Sequence, residues 1–257
     1  MDRFGSRWPV LLVLAVALLS TAGSVLGDVP NLEGTWAMIQ VYPRIAVLPL
    51  VGESSQVSYV IQLVDVEQDN ELLTMNDTYC FTSIVDSSLL ATTEIPDTFI
   101  AGLRPQPREA TLRVRGETIT FVQEPYVEVR GATLDDMLED ALPVDPDDPR
   151  VIDQDGDGFP GMTVNVNLMG LIEAQIYVVQ RVQYQLFGIL SSDRIEGTIE
   201  WADEQVVLAA TNPMLMADST GYPDPDLSKH IFIMIRAQEA WTCEWLREHW
   251  REIFGIE

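Results

Sequence analysis

The chain has 257 residues and is 47% hydrophobic, with 15 Lys and Arg against 40 Asp and Glu and a formal net charge of −25. The apolar share excludes a disordered acidic tail, because enough side chains are present to bury a core. The charge argues against nucleic acid and anionic lipid surfaces as partners, since there is no surplus of Lys or Arg to displace counterions from phosphates.

The chain opens with Asp2, Arg3 and Arg7, continues through an apolar run over 9–19, and reaches the small residues 20–24. This order predicts a secretory signal peptide over 1–27, cleaved after Ser24 or Gly27. The run of about eleven residues falls well short of the ~20 that span a bilayer as a helix. No Cys lies near the junction, which excludes a lipoprotein anchor, and no later apolar stretch reaches spanning length. The expectation is an exported protein without a stable membrane span, in the periplasm, at the cell surface or outside the cell. Removal of 1–27 takes away two Arg and one Asp, which leaves 13 basic against 39 acidic side chains, net −26. Cys80 and Cys243 are the two cysteines. Export would let them form a single disulfide; two buried free thiols are the alternative.

Residues 28–257 read as a single β-rich domain. Strand signatures, short runs of β-branched and aromatic residues, fall at 35–42, 56–66, 78–85, 110–114, 118–122 and 126–129. They resume at 162–168, 174–187, 194–201, 205–210 and 231–235. Their close spacing and intervening turns favour an antiparallel barrel or sandwich over alternating strand and helix units. An acidic insertion at about 133–161 interrupts the series. Within it, Thr133 caps a stretch with acids in its first turn and Leu134, Met137, Leu138 and Ala141 at helical spacing, which predicts a short surface helix over 133–142. A second helix is predicted over 238–254, where Trp241, Trp245, Leu246, Trp250 and Phe254 form one apolar stripe that should pack on the sheet.

The insertion carries ten acids between Thr133 and Asp157 against Arg150 alone, net −9. It ends in Asp153-Gln-Asp155-Gly-Asp157-Gly158-Phe159-Pro160-Gly161. Asp at alternate positions brings several hard oxygens to one centre when the chain turns sharply, which is what Ca²⁺ requires. With Asp153 as position 1, Asp155 and Asp157 fall at 3 and 5 and Gly158 at 6, and Phe159 at 7 offers a backbone carbonyl. These nine residues resemble the first half of EF-hand, dockerin and thrombospondin type 3 calcium loops. The resemblance ends at position 12, where Val164 replaces the bidentate Glu. Asp145, Asp147 and Asp148 are candidates for the missing ligands. The site expected is a structural Ca²⁺ site, and the alternative is an acidic turn whose Gly and Asp serve backbone geometry alone.

Gly34-Thr-Trp36 on the first strand and Arg236 just before the last helix resemble the lipocalin pattern. That resemblance implies a calycin-like antiparallel barrel in which Arg236 lies over Trp36 and closes the base, making Gly34, Trp36 and Arg236 structural. A C-terminal Cys bridging to an early strand is also a lipocalin feature that Cys243 and Cys80 would reproduce. The chain departs from the family in lacking a Thr-Asp-Tyr motif, in its length and in the acidic insertion. As a whole, the Asp-rich loop leading into alternating strands and the late Cys resemble secreted bacterial β-barrel proteins of unassigned function.

Catalytic signatures are sparse. His230 and His249 neighbour no nucleophile motif, and no His-Glu-x-x-His or paired-Cys zinc pattern occurs. Asn76-Asp77-Thr78 fits a glycosylation sequon. Three functional readings follow. The first is a calcium-stabilised, non-enzymatic structural or interaction domain with an envelope or extracellular partner. The second is a lipocalin-like carrier of a small apolar ligand. The third is a carboxylate-based hydrolase, since among 39 acids some pair will face each other.

Overall fold

A computed structural model describes residues 29–48, 52–87, 91–168, 170–216 and 220–256. The proposed signal peptide over 1–27 lies outside these residues. The described chain is mainly β, in one antiparallel sheet. Its strands are β1 (Gly34–Leu48), β2 (Gly52–Asp69), β3 (Leu72–Asp86), β4 (Ala91–Glu94), β5 (Arg108–Arg115), β6 (Thr118–Gln123), β7 (Tyr126–Arg130), β8 (Met162–Leu168), β9 (Ile172–Ser191), β10 (Arg194–Ala210), β11 (Thr220–Pro223) and β12 (Ile231–Arg236). Helix α1 (Asp97–Gly102) follows β4, and α2 (Cys243–Phe254) closes the described chain. No helix among the described residues is long and apolar enough to cross a membrane.

Hydrogen-bonded neighbours run β10-β12-β1-β2-β3-β5-β6-β9, and the β9–β10 hairpin then joins the two ends of that path. Each of these eight strands therefore has a paired neighbour on both sides. β9 carries most of the closure: one edge pairs with β10 from Ile176 to Ser191, while the other meets β8, β7 and β6 in succession. Gly188 and Gly197 oppose each other across this hairpin. A Cβ on Gly197 would stand 1.9 Å from the Phe187 carbonyl oxygen, and one on Gly188 would stand 2.8 Å from the Phe232 ring. Only glycine permits that approach.

Pro43 sits inside β1 without breaking it. β12 pairs with Trp36 to Gln40 and β11 with Arg44 to Val47, so Pro43 falls between the two ladders on that edge. Its carbonyl accepts from Asp224 N–H at 2.9 Å on the same side, which places the missing N–H where no ladder bond is lost.

Both faces of β1 are buried, which is why its sequence shows no clean polar alternation. Trp36 and Met38 point into the inner apolar cluster with Val64, Leu112, Phe121, Leu186 and Phe232. Ala37, Ile39 and Val41 point outward against Leu246, Trp250 and Phe254 of α2. That helix begins at Cys243, later than the predicted 238, because the Thr242 side chain accepts from Trp245 N–H and sets the cap. It ends at Gly255, whose φ of 70° suits the left-handed cap position. The Cys80–Cys243 disulfide joins its first turn to β3.

The helix predicted over 133–142 does not form. Only one turn remains: the Asp136 carboxylate takes the N–H groups of Leu138 and Glu139 as an N-cap does, Asp140 N–H donates to the Asp136 carbonyl at 3.1 Å, and Pro143 follows too soon for the turn to propagate. Leu134 and Leu142 instead bury against Val179 and Leu208, while Met137 and Leu138 stay exposed. The strands predicted at 194–201 and 205–210 are one strand, β10. It continues through Asp203 and Glu204 because these pair with Arg44 and Arg181. β4, α1 and β11 were not anticipated by the pattern reading.

At one end of the sheet Arg236 lies over the Trp36 ring at 4.7 Å, directly opposite it in the β1–β12 register. Its Nη1 and Nη2 donate to the Glu33 and Asn31 carbonyls at 2.9 and 2.8 Å, and its Nε to Asp193 at 2.8 Å. Trp36 Nε1 donates to the Leu32 carbonyl. The guanidinium thus pins the entering chain across a buried indole. Arg236→Ala should lower stability by about 2 kcal/mol from the lost cation–π contact and charged hydrogen bonds. Arg236→Lys should recover less than half, because an ammonium cannot reproduce the planar fork. Urea denaturation of the two variants measures both.

Candidate functional site

Along β1 the inward positions change character. Trp36 and Met38 fill the apolar core, whereas Gln40, Tyr42, Arg44 and Ala46 line a cavity of about 240 Å³. The opposite wall comes from α1, β8, β9 and β10: Phe99, Ile100, Val164, Val166, Ile176 and Val207. Most of these form one apolar cluster with Met162 and Val178, which holds α1 against the sheet. Arg44, Asp203, Gln180 and Gln205 make the β1, β9 and β10 side polar. Arg44 Nη1 binds Asp203 at 3.1 Å, and Gln180 donates to Gln205 at 2.5 Å.

A cluster of buried polar side chains lies beside this cavity, while Tyr42, Val182 and Trp201 line the cavity and pack on the apolar core as well. Arg108 binds Asp77 through two bonds of 2.6 Å, both side chains fully buried, and also donates to Gln123. Arg130 binds Glu128 at 2.6 Å, and Tyr79 donates to the same carboxylate at 3.3 Å. Burial, reinforced by neighbouring Tyr184, keeps the Tyr42 hydroxyl well above its ordinary range; burial and Glu128 do the same to Tyr79. Burial also pushes Tyr126 up to about 12. These tyrosines are neutral hydrogen-bonding groups at any physiological pH. At the cavity edge burial raises the Asp86 carboxyl, against hydrogen bonds from Gln56 and Thr93 N–H that act to lower it.

Gln40 Nε2 and Arg44 Nε are buried without an acceptor in good geometry, and the Gln40 amide lies against the Tyr184 hydroxyl, where it opposes the burial that raises that group. Gln40 is 1% exposed, and its Oε1 accepts from Tyr42 Oη at 2.8 Å. No motif in the sequence marks these residues. The signal available was polar side chains at alternate positions, Gln40, Tyr42 and Arg44, or Asp203 and Gln205, which resembles a solvated strand face and is in fact an internal one.

The histidines are held structurally. Trp201 Nε1 donates to His230 Nδ1 at 2.9 Å, so the His230 proton resides on Nε2, 2.7 Å from the Asp224 carbonyl. His249 Nδ1 lies 2.8 Å from the Trp245 carbonyl, with its ring stacked on that indole.

The acidic loop lies outside the cavity. Asp153, Asp155 and Asp157 each place a carboxylate oxygen within 4.8 Å of the others; among the described residues Asp145, Asp147 and Asp148 do not join them. Asp148 is engaged by Arg150 at 2.7 Å, and Asp145 accepts from Asp147 N–H. Asp153 accepts from the N–H groups of Asp157 and Gly158, Asp157 from Phe159 N–H and Thr163 Oγ1, and Asp155 Oδ2 from Thr163 N–H. Asp155 Oδ1 has no partner. The Phe159 ring stacks on Tyr177 at 4.4 Å. The loop abuts α1: Gln154 donates to the Gly102 carbonyl at 3.0 Å, and a Cβ on Gly102 would stand 2.9 Å from Asp155 Cα.

Compared with protein-family models, with curated proteins and with solved structures, the chain has no significant match.

Burial, followed by the charges of Asp157 and Asp153, raises the Asp155 carboxyl above its ordinary 3.8, partly offset by Thr163 N–H. The folded state therefore disfavours the Asp155 anion, a penalty absent below pH ~4, where both states are protonated, and fully present at neutral pH. In chelator-treated protein Asp155→Asn should raise the melting temperature at pH 7, with the gain vanishing near pH 3. A thermal melt series across pH measures it.

Proposed function

We propose that the chain is an exported binding protein whose paired strands form an eight-stranded up-and-down barrel of lipocalin type, carrying one small ligand in its interior. The observation that carries this reading is the cavity of about 240 Å³ inside a path of antiparallel ladders that returns to its first strand. About eight strands leave an interior wide enough for side chains or one small ligand. Arg236 over Trp36 supports the base closure that the sequence resemblance implies. The Cys80–Cys243 bridge is the type of crosslink that persists outside the reducing cytosol, which supports export. The cavity lies below the roughly 300–1,000 Å³ of drug-sized sites, so the ligand is compact.

Calorimetric titration with two compact probes, 1-acetyladamantane and 1-isopropyladamantane, tests the carrier reading. At least one should bind saturably at one site per chain, and Val182→Phe, which fills the cavity, should abolish binding without lowering the melting temperature. Absence of saturable binding of both would overturn the reading.

A second reading concerns the loop: a structural Ca²⁺ held by Asp153, Asp155 and Asp157. The observation favouring it is the unpartnered Asp155 Oδ1 amid three mutually close carboxylates. Each bonded carboxylate oxygen keeps a second lone pair for a hard cation. Bound Ca²⁺ would neutralise the charge that raises Asp155 and stiffen the turn. Calcium should raise the melting temperature of wild type, and Asp155→Asn should lose that response; an unchanged melt with no calorimetric heat on Ca²⁺ addition would refute it.

A further inference from the structure

We infer that the ligand of the cavity is a compact organic cation, an amine protonated at neutral pH on an apolar body, whose ammonium is received by Asp86. This rests on the carrier reading and specifies its chemistry. Among the described residues the charged side chains lining the cavity are Arg44, Arg130, Asp86 and Asp203. All but Asp86 are paired with an opposite charge within the protein. Arg44 binds Asp203 at 3.1 Å, and Arg130 binds Glu128 at 2.6 Å. Asp86 is half-buried and holds neutral partners, Gln56 Nε2 at 2.6 Å and Thr93 N–H at 3.2 Å. Burial raises its carboxyl, and these two neutral hydrogen bonds act the other way. Counting Glu128 with the arginine it binds, the site carries the carboxylates of Asp86, Asp203 and Glu128 against the guanidiniums of Arg44 and Arg130, an excess of one negative charge.

Strand register keeps that charge unpaired. Arg44 on β1, Gln56 on β2 and Asp86 on β3 stand opposite one another in a single cross-strand row, and all three line the cavity. Arg44, the base of that row, turns the other way, to Asp203 on β10 and against Gly221 on β11. Gln56 lies between them and commits its amide N–H to Asp86, so its Oε1 remains an acceptor. Ser58, two residues along the same face of β2, adds a hydroxyl oxygen to the lining. Each Asp86 oxygen, accepting one hydrogen bond, keeps a second lone pair. An ammonium has three donors and no acceptor, which matches this set of oxygens. A neutral ligand would cover the Asp86 carboxylate without pairing it, and an anion would add to its charge while losing hydration. The net charge of −25 acts in the same direction at longer range, because it draws cations toward the molecule. The wall of Phe99, Ile100, Val164 and Ile176 receives the apolar body.

Three probes of nearly one shape separate the possibilities by calorimetry at pH 7: 1-(1-adamantyl)ethylamine, 1-isopropyladamantane and adamantane-1-carboxylate. The amine should bind about tenfold or more tightly than the hydrocarbon and than the carboxylate, as a charge-assisted hydrogen bond provides. Asp86→Asn should weaken the amine about tenfold while leaving the hydrocarbon unchanged, and the retained hydrocarbon binding shows that the variant keeps its fold. A ¹³C label on the aspartate carboxyl carbons gives a readout on the wild-type chain: the amine should lower the pH at which Asp86 titrates, as a cation beside it requires, and the hydrocarbon should not. Equal binding of amine and hydrocarbon, an amine affinity unaffected by Asp86→Asn, or an Asp86 titration unmoved by the amine would overturn the inference and leave the carrier reading standing. Tighter binding of the carboxylate would overturn the cationic class. Binding of none of the three would remove the carrier reading itself.

Discussion

The hydrogen-bonding capacity of β9 is the constraint on which the rest of the molecule depends. A strand of 20 residues exposes two long rows of N–H and C=O groups, and each row must be paired. β10 satisfies one row as a continuous hairpin partner. The other is satisfied piecewise by β6, β7 and β8, three short strands separated in sequence by turns and by the acidic insertion. The insertion is accordingly a detour between β7 and β8, whose two ends return to the same edge. Its acids can be numerous because only Leu134, Leu142 and a few neighbours need to reach the sheet.

The interior divides into two halves with different energetics. On one side of the buried polar cluster, Trp36, Phe121 and Phe232 fill the space and contribute burial at about 25 cal/mol per Å² of apolar surface. Beyond it, polar side chains on one side and the apolar wall of Phe99, Ile100, Val164 and Ile176 on the other line open volume. The cluster is held by Arg108–Asp77 and Arg130–Glu128, pairs whose desolvation cost offsets most of their attraction. Such groups are weak evidence for stability and good evidence for positioning. They fix the tyrosines that bound the cavity, as Glu128 does for Tyr79.

Much of the fold was legible because apolar periodicity reports burial directly. β8 was read with its boundaries intact, and α2 differed only at its N-terminus, where Thr242 capping overrides the stripe. The acidic helix shrinks to one turn because the cap falls at Asp136 and not at Thr133, which leaves too few residues before Pro143, a shift that spacing alone does not reveal. The Asp-rich loop was readable since Asp153, Asp155 and Asp157 converge through local turns. The cavity was not, because its polar wall depends on which strands face each other across the interior. Gln40 and Asp203 have no relation in sequence that would show it.

The loop and the cavity share a structural member. Gln154 bonds the C-terminal end of α1 through the Gly102 carbonyl, and Asp155 lies against Gly102 so closely that no side chain fits there. Two residues upstream of Gly102, Ile100 stands in the cavity wall, with Phe99 beside it. α1 is a helix of six residues, too short to hold its own shape, and its position is set by what packs on either side. On one side is the apolar cluster of β8 and β9; on the other is a turn whose three carboxylates repel one another. Any cation that relaxes that repulsion acts on the same short helix whose apolar face bounds the cavity. Of the insertion's acids, the Asp153–Asp157 turn is the part that packs on α1, one short helix away from the cavity wall, although its carboxylates do not line the cavity itself.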